Sequence, residues 1–171
     1  MSDRDRTTGR LRRWGEAGVL IGLVFLFYFL AWRPVRGVIA HKVAAPVLQE
    51  AVSIGGGGGK AEARGRRVTI VVQHGEESER GVYPAPAGVV FLLPALFIAG
   101  IAPRRPYWLL FGLGHILLGA VTLSFWFLAL AGWPAGAEVA AFFGRYAVDA
   151  YSISVPVLVS VKSGTSTLHE D

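Results

Sequence analysis

Hydrophobic positions along this chain gather into four long runs, separated by short polar breaks and by one longer mixed segment. The run at 107–133, YWLLFGLGHILLGAVTLSFWFLALAGW, carries no Asp, Glu, Lys or Arg. At 1.5 Å of rise per residue, about 20 residues cross a hydrocarbon core of roughly 30 Å, so this run is long enough to span. Trp108 and Trp133 stand near its ends, where indole rings favour the headgroup level. Residues 17–32 (AGVLIGLVFLFYFLAW) predict a first span, 87–102 (AGVVFLLPALFIAGIA) a second, kinked at Pro94, and 139–161 a fourth. The expected fold is a membrane all-α bundle of four transmembrane helices, with a small extracytoplasmic helix plus β-hairpin segment.

That extra segment is 33–86. Its first part, 35–54, has helical periodicity, with Lys42, Gln49, Glu50 and Ser53 on one side. Pro46 is expected to bend or restart this helix. Five glycines at 55–59 form a flexible linker. With Lys60 they lack the spacing of a phosphate loop, and Ala61 stands where Ser or Thr is needed. RVTIVVQH at 67–74 alternates as a strand, with Val68, Ile70 and Val72 on one face. GEESER at 75–80 predicts a turn, and 81–83 a short returning strand. A lone hairpin is marginal in water, so its apolar face needs the 35–54 helix, the membrane surface or a partner protein. Val68, Ile70 and Val72 are therefore the expected partner-contact strand.

Composition agrees with a membrane location. Among 171 residues, 53% are hydrophobic and 17% charged, which departs from soluble proteins. The net charge of +5 is placed beside the apolar runs, which makes it a topology signal. Residues 1–16 are Arg-rich, and no small-x-small cleavage pattern follows the first run, so an uncleaved signal anchor is expected. The turn at 103–106 holds Arg104 and Arg105, the tail at 162–171 holds Lys162, and the turn at 134–138 has no Lys or Arg. Both termini are expected in the cytoplasm and 33–86 outside, across a bacterial inner membrane. Eight Lys or Arg residues within 33–86 weaken that contrast.

Candidate chemistry is sparse. There is no cysteine, and His41, His74, His115 and His169 lack metal-ligand spacing, so neither a metal nor another cofactor is expected. Dispersed basic residues without interleaved aromatics disfavour nucleic acid. Gly18 and Gly22 form a GxxxG pair suited to close helix packing. The fourth run carries Arg145 and Asp149 four residues apart, and His115 lies in the third. Three alternatives stay open. The first is a polar site of His115, Arg145 and Asp149, with Tyr146, Tyr151 and Ser152 nearby. The second is an intrahelical Arg145–Asp149 ion pair. The third is a span that starts near Ala147, leaving 138–145 on an interfacial helix.

In the stretches 67–74, 83–94 (YPAPAGVVFLLP) and 145–156 (RYAVDAYSISVP), and in the order of its parts, the chain resembles the small membrane proteins that accompany exosortases in bacterial envelope sorting. The five-glycine linker departs from that pattern. The resemblance implies an accessory role beside a membrane-embedded peptidase or transpeptidase. It implies no catalytic residues, since the exosortases use a Cys nucleophile and this chain has none. The expected function is a non-catalytic accessory subunit of a bacterial envelope membrane complex, not an enzyme. Its expected partners are the bilayer and another integral membrane protein or a second copy. The alternative is a small oligomeric transporter or proton-coupled protein using His115, Arg145 and Asp149.

Overall fold

The computed structural model describes residues 3–56, 59–74, 77–101, 105–133 and 135–166. The turn predicted at 103–106 and the tail at 162–171 lie partly outside them. The chain is mostly helical, with one small three-stranded antiparallel sheet. Among the described residues two helices are long and apolar enough to cross a membrane, Gly15–Ile54 and Pro106–Leu130.

The first helix does not break at its prolines. Helix α1 (Asp3–Phe27) passes through a π-helical turn at Tyr28–Trp32 into α2 (Arg33–Val38), then through a second at Ile39–Ala44 into α3 (Ala45–Ile54). Pro34 and Pro46 each follow such a turn. The residues just before them bond five positions back, Arg33 N–H to the Tyr28 carbonyl and Ala45 N–H to the Ala40 carbonyl. A proline ring collides with the carbonyl four positions back in an ordinary α-turn, and the wider π turn moves that carbonyl aside. The expected bend or restart at Pro46 is thus replaced by an extra residue in the preceding turn. Lys42, Gln49, Glu50 and Ser53 all lie on the exposed side, as the periodicity predicts.

The predicted hairpin is a three-stranded meander, β1 (Gly59–Arg64), β2 (Arg67–His74) and β3 (Glu77–Pro84), in the order β1-β2-β3. The linker therefore gives way to a strand at Gly59. Strand β1 escapes the sequence pattern because Ala61, opposite Ile70, is its one buried residue. Its N–H donates to Gln49 Oε1 at 3.4 Å, so α3 lies close and a small side chain fits there. Much of the charged 75–80 stretch is strand β3, whose outer edge carries charge, a common guard against edge-to-edge pairing. Val68, Ile70 and Val72 are buried within the chain, covered by α3 and by α5 (Arg105–Leu130). They are core residues, which corrects their assignment as a partner-contact strand.

Helices α4 (Val89–Ile101), α5, α6 (Ala135–Phe142) and α7 (Val148–Ser166) complete the fold, with a third π-helical turn at Phe143–Ala147 joining the last two. Helix α4 continues through Pro94 and α7 through Pro156.

Two cores share the long helices. One holds Leu48 of α3, Val68 and Ile70 of β2, Tyr83 of β3, Trp126 and Leu130 of α5, and Ala137 and Ala140 of α6. The other holds Ala95 and Ile98 of α4, Phe111 of α5, and Val155 and Val159 of α7, edged by Val24 of α1. Along α5 the exposure changes with the partner. Leu109, Leu113 and Leu117 are more than half exposed beside the second core, whereas Trp126, Ala129 and Leu130 are buried against the sheet. The run at 107–133 is thus half a helix in a bundle and half a helix laid on a sheet. Helix α6 packs with the sheet half, so the expected fourth span is also divided, near 143–147.

Candidate functional site

The two cores meet at a waist, and the waist is hollow. A half-open cavity of 660 Å³ lies between the Tyr28–Arg36 stretch, the β1–β2 turn, the 83–88 segment, the middle of α5 and the start of α7. Its wall carries five arginines, Arg33, Arg36, Arg64, Arg66 and Arg67, and one acid, Asp149. Helix geometry supplies the first two, three residues apart on one side. A tight turn at Gly65, whose φ is +61°, supplies the others.

Arg36 is the best-held of these. It is buried, and its Nε donates to the Ala85 and Pro86 carbonyls at 3.1 and 3.0 Å, while Nη2 donates to Ala85 at 2.7 Å. Trp32 Nε1 donates to the Ala87 carbonyl at 3.1 Å, and Ala85 N–H donates to the Arg66 carbonyl at 3.1 Å. The 85–88 segment, which leads into α4, is therefore tied to the first helix and to the β-turn together. Ala87 adopts φ +53°, a left-handed conformation that disfavours side chains by roughly 1–2 kcal/mol and persists where the surroundings impose it. Burial lowers the pKa of Arg36; Tyr28 beside it acts the other way, and the charges of Arg66 and Arg67 lower it further.

Tyr83 closes the sheet side. Its hydroxyl donates to the Gly119 carbonyl on α5 at 3.2 Å, and burial pushes its pKa up to about 12. A phenol with a raised pKa favours folding while both states are protonated. That contribution is complete below pH 10 and is lost as pH rises from about 10 to 12, where only the unfolded chain ionises freely. The loss amounts to at most about 3 kcal/mol. Alkaline unfolding of the detergent-solubilised protein should therefore steepen between pH 10 and 12, and Tyr83→Phe should flatten it. An identical pH dependence in the two proteins would show that Tyr83 is not sequestered.

His115 lines the cavity but is committed to its neighbours. Nδ1–H donates to the Phe111 carbonyl at 2.8 Å, since a carbonyl only accepts. Nε2 lies 2.8 Å from Ser152 Oγ, which also lies 2.7 Å from the Val148 carbonyl. One hydroxyl proton serves one acceptor at a time, so Ser152 donates either to a neutral His115 or to Val148. The rings of Phe91, Phe111 and Tyr151 surround the imidazole at 4.9, 4.5 and 5.1 Å. The group is a polar crosslink between α5 and α7 with one edge on the cavity. Tyr151 adds a second crosslink by donating to the Leu110 carbonyl at 2.5 Å.

The other predicted residues separate. Asp149 is exposed and shares the cavity with His115. Arg145 does not line it. Its guanidinium sits 5.6 Å over the ring of Tyr146, on an exposed face. Among the described residues no ion pair joins Arg145 to Asp149. The π turn at Phe143–Ala147 explains this, because an i,i+4 pair faces one side only in an ordinary α-helix. Gly18 and Gly22 have nothing of this chain within 4 Å of where a Cβ would be, so any close packing there is with something else.

The arginines were visible as RPVR after Trp32 and as RGRR at 64–67. As sequence their charge reads as a topology signal, and the turn that brings Arg64, Arg66 and Arg67 together lies between β1 and β2. Comparison of the chain with protein-family models, with curated protein sequences and with solved structures finds no match.

Proposed function

We propose that the chain is a four-span inner-membrane protein acting as a non-catalytic accessory subunit of a bacterial envelope complex, of the kind that accompanies exosortases. In this reading the first helix up to Trp32, α4, the first half of α5, and α7 form the membrane bundle. The sheet, α2, α3, α6 and the rest of α5 stand outside, and both termini are cytoplasmic. Support comes from an apolar belt over the bundle half. Val19, Leu23 and Leu30, then Leu93, Leu109, Leu113, Leu117 and Leu158, are each more than half exposed. A monomer in water rarely presents so continuous an apolar surface. Helix α4 and the first half of α5 each cover only about 20 Å at 1.5 Å per residue, so the bilayer thins around them or the 85–88 segment lies at interface depth.

The accessory role rests on one observation. Val35, Val38, Val43 and Val47 are exposed along the outer side of the first helix, beyond the belt. An apolar stripe that leaves the membrane needs a protein or a membrane surface against it. Affinity purification of the tagged chain from its native host in mild detergent, with mass spectrometry, tests this. A stoichiometric integral membrane partner that is lost on Val38→Glu and Val43→Glu substitution is the expected result. Recovery of the chain alone, or as a pure homo-oligomer, would end the subunit reading.

A further inference from the structure

We propose that the waist cavity and an apolar groove beside it form one binding site for an anionic phospholipid, with the phosphate among the arginines and an acyl chain in the groove. The membrane reading supplies the source of such a lipid; the accessory role is not needed for it.

The groove, of 470 Å³, runs between α1, α4 and α5, and Leu20, Leu23, Phe27, Phe91, Trp108 and Ile116 are among its lining. Tyr28 and Ala87 belong to both spaces, so the basic cavity and the apolar groove adjoin. Their junction is the tied and strained 85–88 segment, held by Trp32 and Arg36. A ligand that fills both needs an anionic end and an apolar end.

Charge complementarity selects the head. Two of the five arginines are partly engaged: Arg36 by two carbonyls, and Arg64 by Glu62 at 3.6 Å. Arg33 lies 5.8 Å over the ring of Phe29. Among the described residues, no carboxylate lies within ion-pair distance of Arg33, Arg66 or Arg67. Asp149 is the one acid on the wall. Several guanidinium groups around one space suit a phosphate, whose oxygens accept several charge-assisted bonds. A zwitterionic head would bring its own cation against this wall. A free anion would leave the groove unused. In the membrane reading the cavity lies at the outer end of the bundle, beside the headgroup level of the bilayer.

The test is calorimetric titration of the purified full-length protein with dihexanoyl phosphatidylglycerol, dihexanoyl phosphatidylcholine and inorganic phosphate. Phosphatidylglycerol should bind at least about tenfold more tightly than either comparison ligand, since each charge-assisted bond or chain contact is worth a kcal/mol or more. Arg66→Gln with Arg67→Gln should weaken phosphatidylglycerol by roughly 10- to 100-fold and leave phosphatidylcholine unchanged. Gly112 lines the groove, and a Cβ there meets nothing within 4 Å, so Gly112→Leu starts from open space and fills part of the groove. It should weaken phosphatidylglycerol and leave phosphate unchanged. Equal binding of the two lipids would overturn the proposal. Phosphate binding as tightly as phosphatidylglycerol, or a Gly112→Leu protein with wild-type lipid affinity, would also overturn it, the site then being for a soluble anion. Alkaline-carbonate extraction of the chain from membranes would separately defeat the membrane reading, and the titrations would still decide the site.

Discussion

Gly81→Val is expected to dismantle the sheet, although valine is the better strand former. Gly81 lies in β3 opposite Ile70, and the indole of Trp126 occupies the space above it. A Cβ would stand 2.7 Å from Cζ3 and closer still to the neighbouring ring atoms. Trp126 is 3% exposed and sits in the sheet-side core, so it has nowhere to move. Overpacking commonly costs about 1–3 kcal/mol and more against a rigid ring, so a loss above roughly 3 kcal/mol is expected. Trp126→Ala alone should cost about 3–5 kcal/mol. The double variant should be more stable than the sum of the two implies, by on the order of 1–3 kcal/mol, because the valine enters the space the indole leaves. Denaturant titration of the four proteins in detergent measures this. Strict additivity would mean that the two residues do not touch.

Arg36→Leu is the second large effect, and its cause is different. The leucine keeps part of the aliphatic stem, but the Ala85 and Pro86 carbonyls lose the donor that holds them at the waist. A buried carbonyl deprived of its partner loses about 1–3 kcal/mol, so roughly 3 kcal/mol in all is expected. Arg36→Lys should recover less than half, because one ammonium does not fork between two acceptors as a guanidinium does. The 85–88 segment should also become protease-sensitive in Arg36→Leu before the sheet unfolds. Full recovery by lysine would show that only charge is required.

How far the fold was legible depends on which force set each element. The strand at 67–74 follows burial periodicity, and the apolar runs are helical, with the fourth divided near 143–147 and the first continuing to Ile54. The division of 107–133 between two cores was hidden, because a helix laid on a sheet and a helix with an exposed apolar face are both uncharged and apolar. Exposure separates them, at Leu113 against Trp126. Strand β1 was hidden for the opposite reason, having one buried alanine and no large apolar side chain. The π turns were hidden too, and they decided two outcomes: the unbroken passage through Pro34 and Pro46, and the separation of Arg145 from Asp149. Of the candidate site, His115 and Asp149 were brought to one cavity. The five arginines that dominate it were counted but not placed, since their meeting depends on the register between β2 and the first helix.

Because the chain has no cysteine, single-cysteine variants report topology without background. Substitution at Ser53 on α3, Ser78 on β3, Leu117 in the apolar belt and Ser163 near the end of α7, followed by a membrane-impermeant maleimide on intact cells, addresses the bundle most directly. Residues 53 and 78 should label from outside, residue 163 only after permeabilisation, and residue 117 in neither condition. Labelling of residues 78 and 163 from the same side, or ready labelling of residue 117 in intact membranes, would contradict a four-span bundle that carries the sheet outside.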